Sequence, residues 1–227
     1  MLDIGCSKGI DAIAQMRAAT NDPNYSVDVW LDATGFNNRR GPCHAEVREE
    51  PVRDNGTVVK KRGRMYCVEA VPTTFEVVKT TSKTLGLNKA GFHVSGVAIA
   101  RKDGKALIKD VPSIPGTEGN SIGKCNHHCV EVDMYSLNSY VEQFVFERNT
   151  ERQHLIDMLF IDTEGFDFEI LLGAKETLVR TRYLEFEYHG KEPWKGQKLH
   201  DAVKLLNSYG FTCYYAGKKK LWRVTGC

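Results

Sequence analysis

No stretch of this 227-residue sequence approaches the roughly 20 consecutive apolar residues that a membrane span needs, and none reads as a signal peptide. A surplus of one charge is also lacking. Lys and Arg number 31 against 29 Asp and Glu, a net charge of +2, too small to predict binding to nucleic acid or to a membrane surface. There is no internal repeat and no low-complexity tract. Cysteine is scattered and odd in number, seven in all, which reads as reduced, intracellular thiols rather than a disulfide framework. One glycosylation triplet, at Asn55, weighs slightly against that reading. The opening segment MLDIGCSKGID lacks one more thing, the middle glycine of G-x-G-x-x-G. Dinucleotide sites use that glycine to let the backbone approach a pyrophosphate, so a bound diphosphate is disfavoured.

What is present fits one globular domain over residues 1–227, with 41% hydrophobic and 26% charged residues. Met1 stands where the first buried strand should already be under way, so the chain is expected to be trimmed at its start. Ile10, Ile13 and Ala14 are spaced for an amphipathic helix. Residues 21–64 then lose periodicity, with Pro23, Pro42, Pro51 and a basic KKRGR run, and read as an insertion or lid. RMYCVEA is a strand. The helix after it is expected to open on a capping box, Thr73 to Glu76, and to stop at Gly86. FHVSGVAIA, IDMLFID and RYLEFEYHG are further strands, with helices following the last two. FTCYYAGKKKLWRV reads as a closing hairpin. Strands alternating with helices predict an α/β fold with a doubly wound, mainly parallel sheet.

In such a sheet, ligands sit beyond the carboxyl ends of the strands. The polar oddities fall there: Gly5 to Gly9 after the first strand, Glu69 after the second, Asp162 and Glu164 after IDMLFID, and Glu187 and His189 after RYLEFEYHG. A two-glycine loop at a helix N-terminus still offers N–H groups to a small anion such as a carboxylate. A carboxylate at Glu69 can accept both hydroxyls of a ribose. Together they predict an adenosine-bearing ligand without a diphosphate, and S-adenosyl-L-methionine satisfies both.

The runs LDIGCSKG, CVEAVPTTFE, VAIARKDGKA, FIDTEGFDFEILLGAKETL and FEYHG resemble the FkbM family of S-adenosylmethionine-dependent methyltransferases, in order and over nearly the whole chain. The resemblance implies a Rossmann-like class I methyltransferase fold of seven strands with an antiparallel C-terminal hairpin strand. It also implies O-methylation of a hydroxyl. By position it assigns Asp3, Gly5, Cys6, Ser7 and Gly9 to the cofactor loop, Glu69 to the ribose, and Val97 and Ala98 to the adenine. Asp162 and Glu164 match the family's carboxylates after the fourth strand, and Glu187 with His189 its E-x-H after the fifth. Ser7 stands where the family often has Asn, and residues 21–64 exceed a minimal domain of the class. Asp162, Glu164 and His189 are the catalytic candidates. His189 is the expected base, because its ordinary pKa lies near neutrality, and Asp162 is expected to position sulfonium or acceptor.

The partner expected is a small-molecule or glycan hydroxyl acceptor; nucleic acid is not expected. CNHHC, residues 125–129, holds four potential zinc ligands. Adjacent His127 and His128 do not both reach a metal held by Cys125 and Cys129, so no metal is assigned. Trp194 reads equally as an acceptor-pocket wall or as packing. Two competing readings are a nicotinamide-dependent dehydrogenase, opposed by the missing glycine, and an inactive nucleotide-binding module of the same fold.

Overall fold

The computed structural model describes residues 1–36, 53–54, 57–58, 62–117, 122–123, 125–146, 155–188, 190, 194–217 and 219–225. Strand β1 (Leu2–Ile4) feeds through a loop into α1 (Ile10–Thr20), followed by α2 (Val27–Thr34). Strands β2 (Arg53–Asp54) and β3 (Thr57–Val58) pair antiparallel. Next come β4 (Met65–Val68), α3 (Pro72–Thr84), β5 (Phe92–Ser95), β6 (Ala98–Ala100) and β7 (Gly104–Lys109). β8 (Cys129–Ser136) runs into α4 (Leu137–Tyr140) and a π-helical segment, Val141–Phe146. After these lie β9 (Ile156–Ile161), α5 (Asp167–Leu172), α6 (Lys175–Leu178), β10 (Thr181–Phe186), α7 (Leu199–Ser208), β11 (Tyr214–Ala216) and β12 (Leu221–Arg223).

The central sheet has the order β10-β9-β1-β4-β5, and every pairing in it is parallel. Leu2 is in register with Tyr66 and Leu159, and Ile4 with Val68 and Ile161. These residues alternate with Asp3, so β1 presents opposite faces to two cores. On one side Leu2, Ile4, Val68 and Leu159 pack with Leu137, Tyr140, Ile170 and Trp194. On the other, Met65, Cys67 and Phe92 meet Ile13 and Met16 of α1 and Trp30 of α2. Helices thus cover both faces, as the alternating pattern predicts. The strand order reverses beside β1, which puts the ligand crevice at the carboxyl ends of β1 and β9.

Three expectations need correction. The central sheet has five strands among the described residues, not seven. FHVSGVAIA breaks at Gly96, where a Cβ would lie 2.7 Å from the Phe75 ring; β6 then leaves to join β8 and β7 in a separate three-stranded sheet. β11 and β12 form an antiparallel ribbon of their own, closed at its base by Val224 N–H donating to Cys213 O at 3.0 Å. The capping box at Thr73 does not form. Val71 is the N-cap with Pro72 after it, and Asp110 takes the Thr73 N–H (3.3 Å) and hydroxyl instead. Finally, residues 21–64 are not all irregular. Ser26 caps α2 by accepting the Val29 N–H, and Trp30 and Leu31 are buried in the core. Residues 37–52, 55–56 and 59–61 lie outside the described residues. Among the described residues no helix is long and apolar enough to cross a membrane.

Candidate active site

The loop between β1 and α1 is held by backbone hydrogen bonds, by the indole of Trp30 and by the side chain of Cys6. Gly5 N–H and Cys6 N–H both donate to Val68 O, at 2.9 and 3.1 Å, and Gly9 N–H donates to Cys6 O at 2.8 Å. Gly5 has φ +82°, and a Cβ there would come within 1.9 Å of the Asp162 carbonyl oxygen, so only glycine fits. Ser7 also adopts a left-handed backbone, at φ +45°. Trp30 closes the loop from below, its Nε1–H donating to Lys8 O at 2.8 Å. Gly9 is the N-cap of α1 and supplies no side-chain cap to its first turn.

Cys6 is joined to Cys67 of β4 by a disulfide (Cα–Cα 5.5 Å), which corrects the expectation of reduced thiols. The two are 61 residues apart in sequence and become neighbours only because the loop after β1 folds back over the end of β4. Cys125 is bonded to Cys129, closing the CNHHC turn, and Cys213 is free.

Glu69 directly follows β4, with its carboxylate buried. It accepts the N–H of Val71 at 2.7 Å and those of Ser7 and Ala70, and so clamps the loop and the start of α3 together. Burial pushes its pKa up to about 7 against the lowering effect of those three N–H groups, with Asp110 adding to the rise. Asp3 lies beneath the loop, in register with Cys67 and Phe160 and only 5% exposed. Desolvation, helped by the charges of Asp11 and Glu69, pushes it up to about 8, so it is protonated at neutral pH.

The third wall comes from β9 and β10. Asp162 N–H continues the ladder to Ile4 O at 2.9 Å, and Glu187 N–H reaches Ile161 O at 3.2 Å, so the two acids sit side by side. Their carboxyl groups hydrogen-bond to each other. Desolvation first, then that bond and the charges of Glu187, Asp167 and Glu164, hold Asp162 well above the usual carboxylate range. Asp162 keeps an exposed residue surface although its carboxyl group is drawn against its neighbour. Glu164 follows in a left-handed conformation, φ +56°, and Asp167, fully buried, accepts the Gly165 N–H at 3.2 Å. Two non-glycine left-handed residues, Ser7 and Glu164, therefore flank one crevice, a placement typical of sites held under local strain.

The structure brings together Gly5, Cys6, Ser7, Gly9, Glu69, Asp162 and Glu164, with Asp3 behind them. It separates the two adenine candidates. Ala98 is 1% exposed in a small core with Val71, Ala106 and Ile108, whereas Val97 is half-buried and lines a cleft of about 440 Å³ with Ser95, Gly96 and Phe144. His189 lies outside the described residues. Trp194 is packing, 1% exposed and stacked on Phe168 at 5.4 Å. The features least visible in advance are Cys67 and Trp30, which hold the loop from elements distant in sequence, and the pairing of Glu187 with Asp162.

The doubly wound α/β fold, with its polar groups converging at the switch point, is that of a Rossmann-like protein. Residues 46–213, more than half of the chain, match the family described as the methyltransferase FkbM domain, and the chain belongs to that family. It is similar to 2-O-methyltransferase NoeI of Sinorhizobium fredii (strain NBRC 101917 / NGR234), with 36% identity over 55 residues. That match takes in 24% of this chain and 23% of the relative, so it spans less than a quarter of the curated protein's length. No solved structure gives a significant match.

Proposed function

We propose that this protein is an S-adenosyl-L-methionine-dependent methyltransferase acting on a hydroxyl of a small molecule or glycan. The observation that carries the reading is the clamp of Glu69 on the loop, beside a helix N-terminus with no side-chain cap. The donor set suits the cofactor. First-turn N–H groups of α1 and the loop backbone would take an amino-acid carboxylate, and Glu69 would take the ribose hydroxyls. By the resemblance, Val97 and Ala98 would stand on the adenine side. Nothing in the loop is shaped for a diphosphate, which disfavours the nicotinamide reading. The similarity to a protein named as a 2-O-methyltransferase supports an oxygen acceptor.

The cofactor, when bound, supplies a methyl group on a sulfonium, which is electrophilic. This chain's residues would align an acceptor oxygen in line with it and take the hydroxyl proton as the new O–C bond forms. Asp162, hydrogen-bonded to Glu187, stands at the switch point and holds protons near neutral pH, and Glu164 is beside it. His189, two residues after Glu187, completes the catalytic candidates.

Thermal-shift titration tests the proposal. S-adenosylhomocysteine should raise Tm, with stabilisation of about 2.7 kcal/mol at a hundred times its Kd. A rise with NAD and none with S-adenosylhomocysteine would overturn it.

A further inference from the structure

The Cys6–Cys67 disulfide joins the two segments that the proposed cofactor site depends on. Cys6 lies between Gly5 and Ser7 of the loop, and Cys67 lies two residues before Glu69, whose carboxylate accepts the Ser7 N–H. The two ends of the bond differ in freedom. Cys67 is 0% exposed and sits mid-sheet, paired with Asp3 on one side and Val94 on the other. Cys6 is in a loop and retains 7% exposure. Bonded sulfurs lie about 2 Å apart, whereas two thiols must part to van der Waals contact, on the order of 3.5 Å. The strand cannot yield, so the displacement falls on the loop, and with it on the Ser7 N–H that Glu69 holds.

We propose that the Cys6–Cys67 bond positions the cofactor loop against Glu69, and that its reduction by a dithiol frees the loop and weakens cofactor binding. The inference rests on the S-adenosylmethionine reading of the site. The exchange is balanced. A dithiol thiolate attacks the sulfur of Cys6, the partner that lies in the loop, and expels Cys67, and the second thiol resolves the mixed disulfide. The protein bond is reduced by two electrons, the dithiol becomes a disulfide, and its two protons end on Cys6 and Cys67. Cys6 and Cys67 are positioning residues; neither takes part in methyl transfer.

The test is calorimetric titration of S-adenosylhomocysteine into oxidised and dithiothreitol-reduced protein, in a Cys125→Ser/Cys129→Ser background so that the second bond does not contribute. Losing one charge-assisted hydrogen bond at Glu69 should raise Kd about tenfold or more on reduction, with recovery on reoxidation and an unchanged far-ultraviolet circular dichroism spectrum. Cys67→Ala should bind like the reduced protein and ignore redox state. If that variant does not fold, the reduction and reoxidation of the parent decide alone. Equal Kd in both states overturns the inference and leaves the cofactor reading standing. Binding in neither state removes the cofactor reading and the inference with it. Recovery of separately alkylated Cys6 and Cys67 peptides from protein never exposed to reductant also overturns it.

Discussion

Asp162 and Glu187 share a hydrogen bond between their carboxyl groups, across the ends of two paired parallel strands. Two acids this close do not both ionise readily, so the pair holds a proton into the neutral range. A base of this kind acts once that proton has left, so activity should rise with pH through the neutral range. Asp162→Asn should lower kcat by about 10²–10⁴-fold. Glu187→Gln removes a like charge, so Asp162 should ionise more easily and the acidic limb should move to lower pH. A pH–rate profile at saturating cofactor reads both. If only His189→Ala abolishes the limb, the histidine is the base and the carboxyl pair positions the acceptor.

In the proposed site Glu69 would accept the ribose hydroxyls as a carboxylate, and burial raises its pKa to about 7. Cofactor affinity should therefore strengthen from about pH 6 to about pH 8 as the carboxylate forms. Glu69→Ala should weaken S-adenosylhomocysteine by about 1.5–3 kcal/mol for each charge-assisted bond lost. Titration calorimetry across pH checks this. A flat affinity in the parent would show that Glu69 is already ionised or does not touch the ligand.

Asp3 gives the opposite kind of pH dependence, one of stability. Its pKa moves from an ordinary 3.8 to about 8 on folding. Between those values the unfolded chain releases a proton that the folded chain keeps. The contribution is thus fully present below about pH 4 and is lost as pH rises through about 8. Asp3→Asn removes this dependence. Urea unfolding should show the variant gaining on the parent by up to about 1.4 kcal/mol per pH unit across that window, and parallel pH curves for the two proteins would be inconsistent with a buried neutral acid.

Gly5→Ala should be the most damaging single change in the loop. The left-handed backbone alone costs an L-residue about 1–2 kcal/mol, and the added carbon falls on the Asp162 carbonyl. Loss of S-adenosylhomocysteine binding together with a lower unfolding midpoint is the expected result. A variant that binds normally would mean that the loop and β9 are not packed this tightly.

How much of this the sequence shows depends on how local each determinant is. The strand-end placement of Gly5, Glu69, Asp162 and Glu187 is legible because parallel strands put their carboxyl ends on one edge. Leu184 and Phe186 alternate as expected and pack against the main core. The Cys6–Cys67 bond is not legible, since pairing over 61 residues depends on which strand lies beside β1. The cap of α3 escapes for the same reason: Asp110, 37 residues from Thr73, replaces the nearby Glu76. α2 is hidden by the prolines that follow it, although its buried Trp30 is what closes the loop. The departure of β6 turns on one contact, Gly96 against Phe75, which no periodicity encodes.

The three tryptophans occupy three distinct environments. Trp30 is fully buried and tied through its indole N–H to the loop at Lys8, Trp194 is buried beside the end of β10 among Phe168, Phe186 and Tyr188, and Trp222 is 54% exposed on the C-terminal ribbon. Iodide in solution will therefore quench Trp222 and leave the other two shielded. The remaining emission comes from two buried indoles, one of them bonded to the loop, so the protein carries its own optical reporter of loop position in Trp30 and needs no added dye.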